Sequence, residues 1–211
     1  MPRQGAPASS LPRRASRVCD RSVDAAGNAP TPGMTRRGAS RHASGQQLRV
    51  AVAPLLVLPG VGAFPAASTL LSQTRDALRE RLLAGAPCLG ICLGMQLLLD
   101  GSDEGPGAGL AVVPGRVVRL EADRVPHMGW NRVEGDDALL ARSGLQTAYY
   151  AHSFVCRPVN PGVVRATSDH AGVRFPAMIR CRGMVGVQFH PEKSGAPGLA
   201  FLAAVLQEVG T

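Results

Sequence analysis

Residues 87–96 have the sequence Pro-Cys-Leu-Gly-Ile-Cys-Leu-Gly-Met-Gln, an apolar run in which two glycines flank a cysteine. The pattern predicts a short buried strand, a sharp turn at Cys92 and the start of a helix. A side chain at such a turn projects into open space, and Gly90 and Gly94 remove the crowding around the bend. N–H groups at a helix start stabilise a thiolate, so we expect the pKa of Cys92 to lie below the usual ~8.5. The pattern favours a nucleophile, and the alternative is a buried cysteine that only packs.

A second polar motif, His190-Pro191-Glu192, follows the predicted strand 184–189. Because alternate residues of an extended chain point to the same side, the Glu192 carboxylate can support the His190 ring. His190 would then take the proton from Cys92 and return it to a leaving amine. The three residues together predict a Cys-His-Glu triad, whereas His190 and Glu192 alone could equally be solvated residues at a strand end.

From Leu48 onward, apolar strands alternate with helices. Leu55–Leu58 is typical of a buried parallel strand, and it leads through the loop 59–64 into a helix that we expect to run to residue 84. With the strand 87–91 and a helix over 93–99, the order predicts a parallel sheet whose carboxyl ends carry this loop and Cys92. The spacing of the later strands indicates antiparallel pairs and hence a mixed sheet, with a closing helix at the end. These later elements are predicted at 116–120, 147–156, 163–168, 174–180, 184–189 and 198–208.

Residues 1–47 differ in composition from the rest of the chain. They hold eight arginines and two acids, so they contribute +6 of the total formal charge of +8, and they contain no Ile, Phe, Tyr or Trp. Such a segment cannot form a core, and we expect it to be a basic, low-complexity, disordered region. It is a solvated tail, a basic tail that contacts nucleic acid, or a mistranslated segment produced by a reading-frame or start-site artefact. The predicted domains are therefore 1–47 and a folded domain over 48–211.

Composition also argues against several classes of protein. No apolar run approaches the ~20 residues that span a bilayer, and the N-terminus lacks the apolar stretch of a secretory signal. The five cysteines are odd in number and form no C-x-x-C pair, which disfavours a disulfide framework and a zinc site. We therefore expect a cytoplasmic protein with no metal, no cofactor and neither a nucleic-acid nor a membrane partner.

The elbow 90–96 and the His190-Pro191-Glu192 motif together resemble the class I glutamine amidotransferase family. Three stretches narrow the resemblance to glutaminase subunits of imidazole glycerol phosphate synthase: residues 58–64, 126–131 and 190–194. The resemblance covers about residues 48–211. It implies an α/β fold of the flavodoxin-like kind, with a mixed, mostly parallel sheet flanked by helices. The first βα unit of the family, a strand that runs into Asp-Tyr-Gly-x-Gly-Asn, is missing or replaced in residues 1–47.

The resemblance implies a role for each matching residue. The chain would hydrolyse L-glutamine to L-glutamate and ammonia, with Cys92 as nucleophile, His190 as general base and acid, and Glu192 as the group that orients it. The backbone N–H groups of Val61 and Leu93 would form the oxyanion hole. The residues expected to hold the substrate are Gly60, Gly62, Gln96, His152 and Ser153.

The resemblance also implies a heterodimer. Ammonia would pass to a cyclase subunit that makes imidazole glycerol phosphate and AICAR in histidine biosynthesis, and Trp130, Asn131 and Lys193 are the candidates for that interface. Activity would be low in the isolated subunit and would rise when the cyclase binds, through a rearrangement of the loop 60–62. Three alternatives remain: a catalytically impaired subunit that only binds the cyclase, another class I amidotransferase, and a cysteine hydrolase of different specificity.

Overall fold

The computed structural model describes residues 53–209. The predictions for residues 1–47, including the disordered or mistranslated segment and the missing first βα unit, lie outside the described residues. Within 53–209 the chain forms eleven β-strands and five α-helices. The helices are α1 Phe64–Leu71, α2 Arg75–Leu83, α3 Leu93–Gln96, α4 Ala138–Ser143 and α5 Gly195–Val209.

The strands form three sheets. In chain order they are β1 Leu56–Leu58, β2 Cys88–Ile91, β3 Gly101–Ser102, β4 Gly115–Arg119, β5 His127–Arg132, β6 Glu134–Gly135, β7 Thr147–His152, β8 Phe154–Pro158, β9 Val164–His170, β10 Val173–Cys181 and β11 Met184–Val187. The main sheet has the order β1-β2-β11-β10-β9-β6, and the two smaller sheets are β3-β4-β8 and β5-β7.

The strand that carries the elbow lies between two parallel neighbours. β2 pairs in parallel with β1 on one side and with β11 on the other, whereas β10, β9 and β6 extend the sheet by antiparallel pairs. The mixed sheet is therefore confirmed, but among the described strands it is not mostly parallel, because three of its five pairings are antiparallel. Its parallel part is the part beneath the elbow. Among the described strands β1 lies at the edge, so the predicted burial is only partial: Leu56 is buried but Val57 is 50% exposed.

Alternation along the central strands divides the core into two clusters. Cys88 and Met184 pack in one cluster, whereas Leu89 and Val185, the next residue in each strand, pack in the other. Because successive strand residues point to opposite faces, the two clusters lie on opposite sides of the main sheet. Leu78 and Leu82, four residues apart on α2, lie on one face of that helix and join the first cluster.

The prediction of one continuous helix over 65–84 is wrong, because a turn separates α1 from α2. The Thr74 N–H and hydroxyl both donate to the Leu71 carbonyl, at 3.0 and 3.4 Å. Short polar side chains offer the backbone such local partners and so interrupt a helix that the apolar periodicity alone would continue. None of the helices in residues 53–209 is long and apolar enough to cross a membrane.

Two further sequence predictions need correction. The expected strand 147–156 is two strands, β7 and β8, which separate at Ser153 and belong to different sheets. The motif 126–131, which is not among the predicted strands, forms most of β5 and pairs with β7, and Trp130 is 59% exposed. As a result β5 and β7 present a partly exposed ribbon beside the carboxyl ends of the parallel strands.

Candidate active site

Cys92 occupies a strained turn between β2 and α3. Its φ of 49° and ψ of −106° lie outside the regions that non-glycine residues prefer, and such strain is commonly stored at functional sites. A Cβ on Gly94 would lie 1.8 Å from the Leu58 carbonyl oxygen, and one on Gly90 would lie 2.7 Å from the Gly94 backbone. The two glycines are therefore needed because the backbone segments around the elbow touch.

The loop after β1 packs directly on this elbow. A Cβ on Gly60 would lie 1.8 Å from the Ile91 carbonyl oxygen and 2.6 Å from the Leu93 nitrogen. Val61 is 87% exposed, and Gly62 has a φ of 122°, a conformation that side chains rarely adopt. Both predicted oxyanion-hole residues, Val61 and Leu93, line the same cavity as Cys92.

Burial controls the protonation of the Cys92 thiol. It raises the pKa of Cys92 to about 11, and hydrogen bonds from the Leu93 N–H and the Gln188 amide lower that pKa by less than burial raises it. The expectation of a lowered pKa is wrong for this state, because the thiol is 6% exposed and α3 has only four residues to supply a helix dipole. The thiol therefore needs a base to become a nucleophile.

His190 and Glu192 form the expected pair, but the backbone between them is not the extended strand that the sequence predicted. His190 Nδ1 lies 2.8 Å from Glu192 Oε1, and the ring is buried at 4% exposure. The chain from Pro191 to Lys193 is a 3₁₀ helix, so Glu192 returns to the ring through a turn and not through strand alternation. Since the carboxylate occupies Nδ1, Nε2 is the nitrogen that remains for proton transfer.

One cavity of about 310 Å³ joins these groups. Its lining includes Cys92, His190 and all of the residues predicted for the oxyanion hole and for the substrate, whereas Glu192 lies behind the His190 ring. The predicted residues that line it are Gly60, Val61, Gly62, Cys92, Leu93, Gln96, His152, Ser153, His190 and Lys193. A cavity of this size suits a small amino acid.

Sequence reasoning missed two polar side chains at this site. Glu104 lines the cavity, and its carboxylate accepts a hydrogen bond of 2.8 Å from the Phe64 N–H at the start of α1. The sequence held a sign of this contact. Helix α1 begins after Ala63, whose methyl group cannot accept a hydrogen bond from the first N–H groups of the helix, so an acceptor from elsewhere in the chain was needed. Gln188 is fully buried, and its Nε2 lies 3.5 Å from Cys92 Sγ.

Of the three residues predicted for a partner interface, Lys193 lines the cavity, and Trp130 and Asn131 lie on β5, the strand that carries the cavity-lining Met128. Trp130 is exposed and meets the Tyr149 ring edge-on, and Lys193 lies over the same ring with its nitrogen 5.7 Å from the centroid. Asn131 is bound within the protein, since its amide donates to the Asp169 carbonyl. Met128, 64% exposed, extends this apolar surface and also lines the cavity.

The part of the chain that the structure describes holds no group of three or more His, Cys, Asp or Glu side chains placed to bind a metal ion. The chemistry available at the site is that of the thiol, the imidazole, the carboxylates and the backbone N–H groups.

Comparisons with known proteins agree on one family. Residues 39–206 match the family model described as glutamine amidotransferase class-I. The chain is 40% identical to the imidazole glycerol phosphate synthase subunit HisH of Acaryochloris marina, over 84% of this chain and 87% of that protein. It is 46% identical to the subunit of the same name from Methanothermobacter thermautotrophicus, over 71% and 77%.

A solved structure titled as a glutamine amidotransferase is similar in fold. It superposes with a TM-score of 0.60 at 22% identity, over 78% of this chain and 84% of that one. A likeness at this level of identity concerns the fold alone.

Proposed function

Since this chain belongs to the class-I glutamine amidotransferase family, we propose that its cavity is the glutaminase site of an imidazole glycerol phosphate synthase subunit. The reaction is the hydrolysis of L-glutamine to L-glutamate and ammonia. The observation that carries the proposal is the convergence of the strained Cys92 elbow, the His190–Glu192 pair and the Gly60 loop on one cavity.

The first half-reaction forms a thioester. His190 Nε2 takes the proton from Cys92 Sγ, and Glu192 stabilises the imidazolium. The thiolate attacks the side-chain amide carbon of glutamine, and a carbon–sulfur bond forms while the carbonyl oxygen gains negative charge. The Leu93 and Val61 N–H groups stabilise that oxyanion, and each such donor is worth roughly 10²–10³ in rate.

The first half-reaction ends when the imidazolium gives its proton to the amide nitrogen, the carbon–nitrogen bond breaks and ammonia leaves, so that the thioester remains. The second half-reaction returns the enzyme to its starting state. Water then attacks the thioester as His190 takes its proton. The carbon–sulfur bond breaks, the sulfur recovers a proton from His190, and glutamate leaves.

The lining of the cavity complements a free amino acid. The Glu104 carboxylate is the group that would bind the α-ammonium of glutamine, because opposite charges pair best where water is partly excluded. Gly60, Gly62, Gln96 and Ser153 supply polar groups around the rest of the substrate. His152 serves as a neutral wall, since burial lowers its pKa to about 3.

We place the cyclase partner on the exposed surface formed by Met128, Trp130 and Lys193, with Asn131 beneath it. Exposed apolar side chains rimmed by charge are typical of protein interfaces. Ammonia released at Cys92 would then reach the cyclase without entering bulk water. A cytoplasmic location and a single amidotransferase domain over 48–211 remain predictions.

The proposal is tested with the chain in complex with its cyclase. Cys92→Ala should abolish glutamine-dependent synthesis and spare synthesis driven by added ammonia, because only the glutaminase half-reaction needs the thiol. Cys88→Val is the matched control. Cys88 packs in the core at the start of β2, the strand that leads into the elbow, and this position should tolerate an apolar residue of similar size. Normal glutamine turnover by the Cys92→Ala protein would refute the assignment.

A further inference from the structure

Gln188 aims the donor end of its side chain at the nucleophile. The side chain is fully buried, its Nε2 lies 3.5 Å from Cys92 Sγ, and its Oε1 accepts from Gln96 Nε2 at 3.3 Å. We propose that Gln188 is a further catalytic residue, whose N–H stabilises the Cys92 thiolate, and that a chain of hydrogen bonds from β5 fixes the orientation of its amide. This inference rests on the glutaminase function proposed above.

The two amides can be oriented in only one way. Gln96 Nε2 also donates to the Phe154 carbonyl at 3.0 Å. Turning the Gln96 amide over would set two oxygens against each other at Phe154, and turning the Gln188 amide over would set its NH₂ group against that of Gln96. The acceptor end of Gln188 is therefore held by Gln96, and its donor end faces the sulfur.

The chain continues through two histidines. The Phe154 carbonyl also accepts from His152 Nδ1 at 3.0 Å, which leaves His152 Nε2 as an acceptor. His127 Nδ1 donates to it at 3.0 Å, and His127 Nε2 in turn accepts from Asn131 Nδ2 at 3.3 Å. Every donor in this series is matched by an acceptor only while both rings are neutral.

The environment of the two rings favours that neutral state. Burial lowers the pKa of His152 to about 3 and the pKa of His127 to about 4. Protonating His152 would set two N–H donors against each other at 3.0 Å. The hydrogen bonds thus connect Asn131, on the strand that carries Trp130, to the sulfur of Cys92 through the Phe154 carbonyl, where the donors from His152 and Gln96 converge.

Opposing contacts meet at that sulfur. The Ala151 carbonyl, 3.9 Å from Sγ, accepts the S–H and favours the thiol. The N–H groups of Gln188 and Leu93 favour the thiolate and offset part of the effect of burial. Removing the Gln188 donor leaves only the Leu93 N–H and the more distant charge of Lys193 to favour the thiolate, so less thiolate forms at a given pH.

The primary test replaces Gln188 by methionine, which has a similar length and volume but no N–H. The rate of Cys92 alkylation by iodoacetamide is measured against pH on the full chain, with the labelled peptide identified by mass spectrometry. We expect the rate below the titration midpoint to fall roughly tenfold, as loss of a hydrogen bond to a charged group implies. With the cyclase present, kcat for glutamine should fall by a similar factor with KM changed less than ~2-fold.

Controls separate this role from a structural one. Gln146→Met makes the same change at an exposed position and should leave both measurements unaltered. If circular dichroism shows that Gln188→Met is unfolded, Gln188→Asn replaces it, because the shorter amide cannot reach both Gln96 and Cys92. An unshifted alkylation profile in the folded variant overturns the inference. A wild-type protein that does not hydrolyse glutamine overturns instead the function on which it rests.

The distal part of the chain has its own test. His127→Phe keeps a ring between Tyr150 and His170 and removes the donor to His152, whereas His170→Phe keeps the stacking but changes a ring outside the chain. Only His127→Phe should slow alkylation and turnover. If His127 acts through Gln188, the double variant Gln188→Met/His127→Phe is no slower than Gln188→Met. If the losses of rate multiply in the double variant, or if His127→Phe and His170→Phe lose equal activity, the proposed role of the hydrogen-bonded series is refuted.

Discussion

Two buried neutral histidines should make the folded protein sensitive to mild acid. Burial, assisted by His170, lowers the pKa of His127 to about 4, and burial assisted by His127 lowers the pKa of His152 to about 3. In the unfolded chain both titrate near ~6.5. Because the folded pKa values are depressed, the stability from this pair is complete above pH ~6.5. It is lost as the pH falls toward 4, where the unfolded chain binds protons that the folded protein excludes.

The size of the effect follows from the number of groups. Each histidine that protonates only on unfolding removes about 1.4 kcal/mol per pH unit, so the pair removes about 2.8 kcal/mol per unit between roughly pH 6 and 4. His127→Phe takes away one titrating ring while it preserves the stack with His170 and Tyr150. The variant should therefore lose stability about 1.4 kcal/mol per pH unit less steeply than the wild type.

The assay is urea unfolding, followed by circular dichroism at several pH values between 7 and 4.5. Comparing the two proteins cancels the titration of carboxylates that both share. Parallel plots of the free energy of unfolding against pH would refute the conclusion that His127 is held neutral in the fold.

Two further perturbations address the site and its partner surface. Glu192→Gln should lower kcat roughly 10–100-fold with little change in KM, because an amide orients the His190 ring without stabilising the imidazolium, although water at this half-exposed position replaces part of the lost charge. Steady-state glutamine hydrolysis by the complex measures this effect, and an unchanged kcat would remove Glu192 from the mechanism. Trp130→Ala should weaken cyclase binding by roughly tenfold or more, as expected for an exposed aromatic anchor. Calorimetric titration of the cyclase with each protein measures the Kd, and an unchanged Kd would place the interface elsewhere.

The elbow was predictable because its geometry is local. A Cβ on Gly90 would meet the Gly94 backbone, a contact that the spacing of the motif itself specifies, whereas the contact of Gly94 with Leu58 depends on the pairing of β1 with β2. The pairing of His190 with Glu192 was predictable for the same reason, although the backbone between them is a 3₁₀ turn and not an extended strand. Short-range spacing therefore predicts which side chains meet more reliably than it predicts the backbone that joins them.

The features that sequence reasoning missed depend on distant parts of the chain. Glu104 reaches the cavity because it caps α1 across 40 residues, and Gln188 reaches Cys92 across 96 residues through the pairing of β2 with β11. The pKa of Cys92 was predicted in the wrong direction because burial, which depends on the whole fold, outweighs the local helix start. Gln188, which lies inside an apolar strand pattern, carried no signal of its own until the topology placed it beside Cys92.

The central claim is that Cys92 is the nucleophile whose sulfur carries the covalent glutamyl intermediate. The complex is mixed with glutamine, quenched in acid within the first turnover, digested and examined by mass spectrometry. The account predicts one glutamyl group, added as a thioester, on the peptide that contains Cys92 and absent from the Cys92→Ala protein. Turnover of glutamine with the adduct on Cys88 or Cys156, or with no adduct under conditions that trap thioesters, would contradict it.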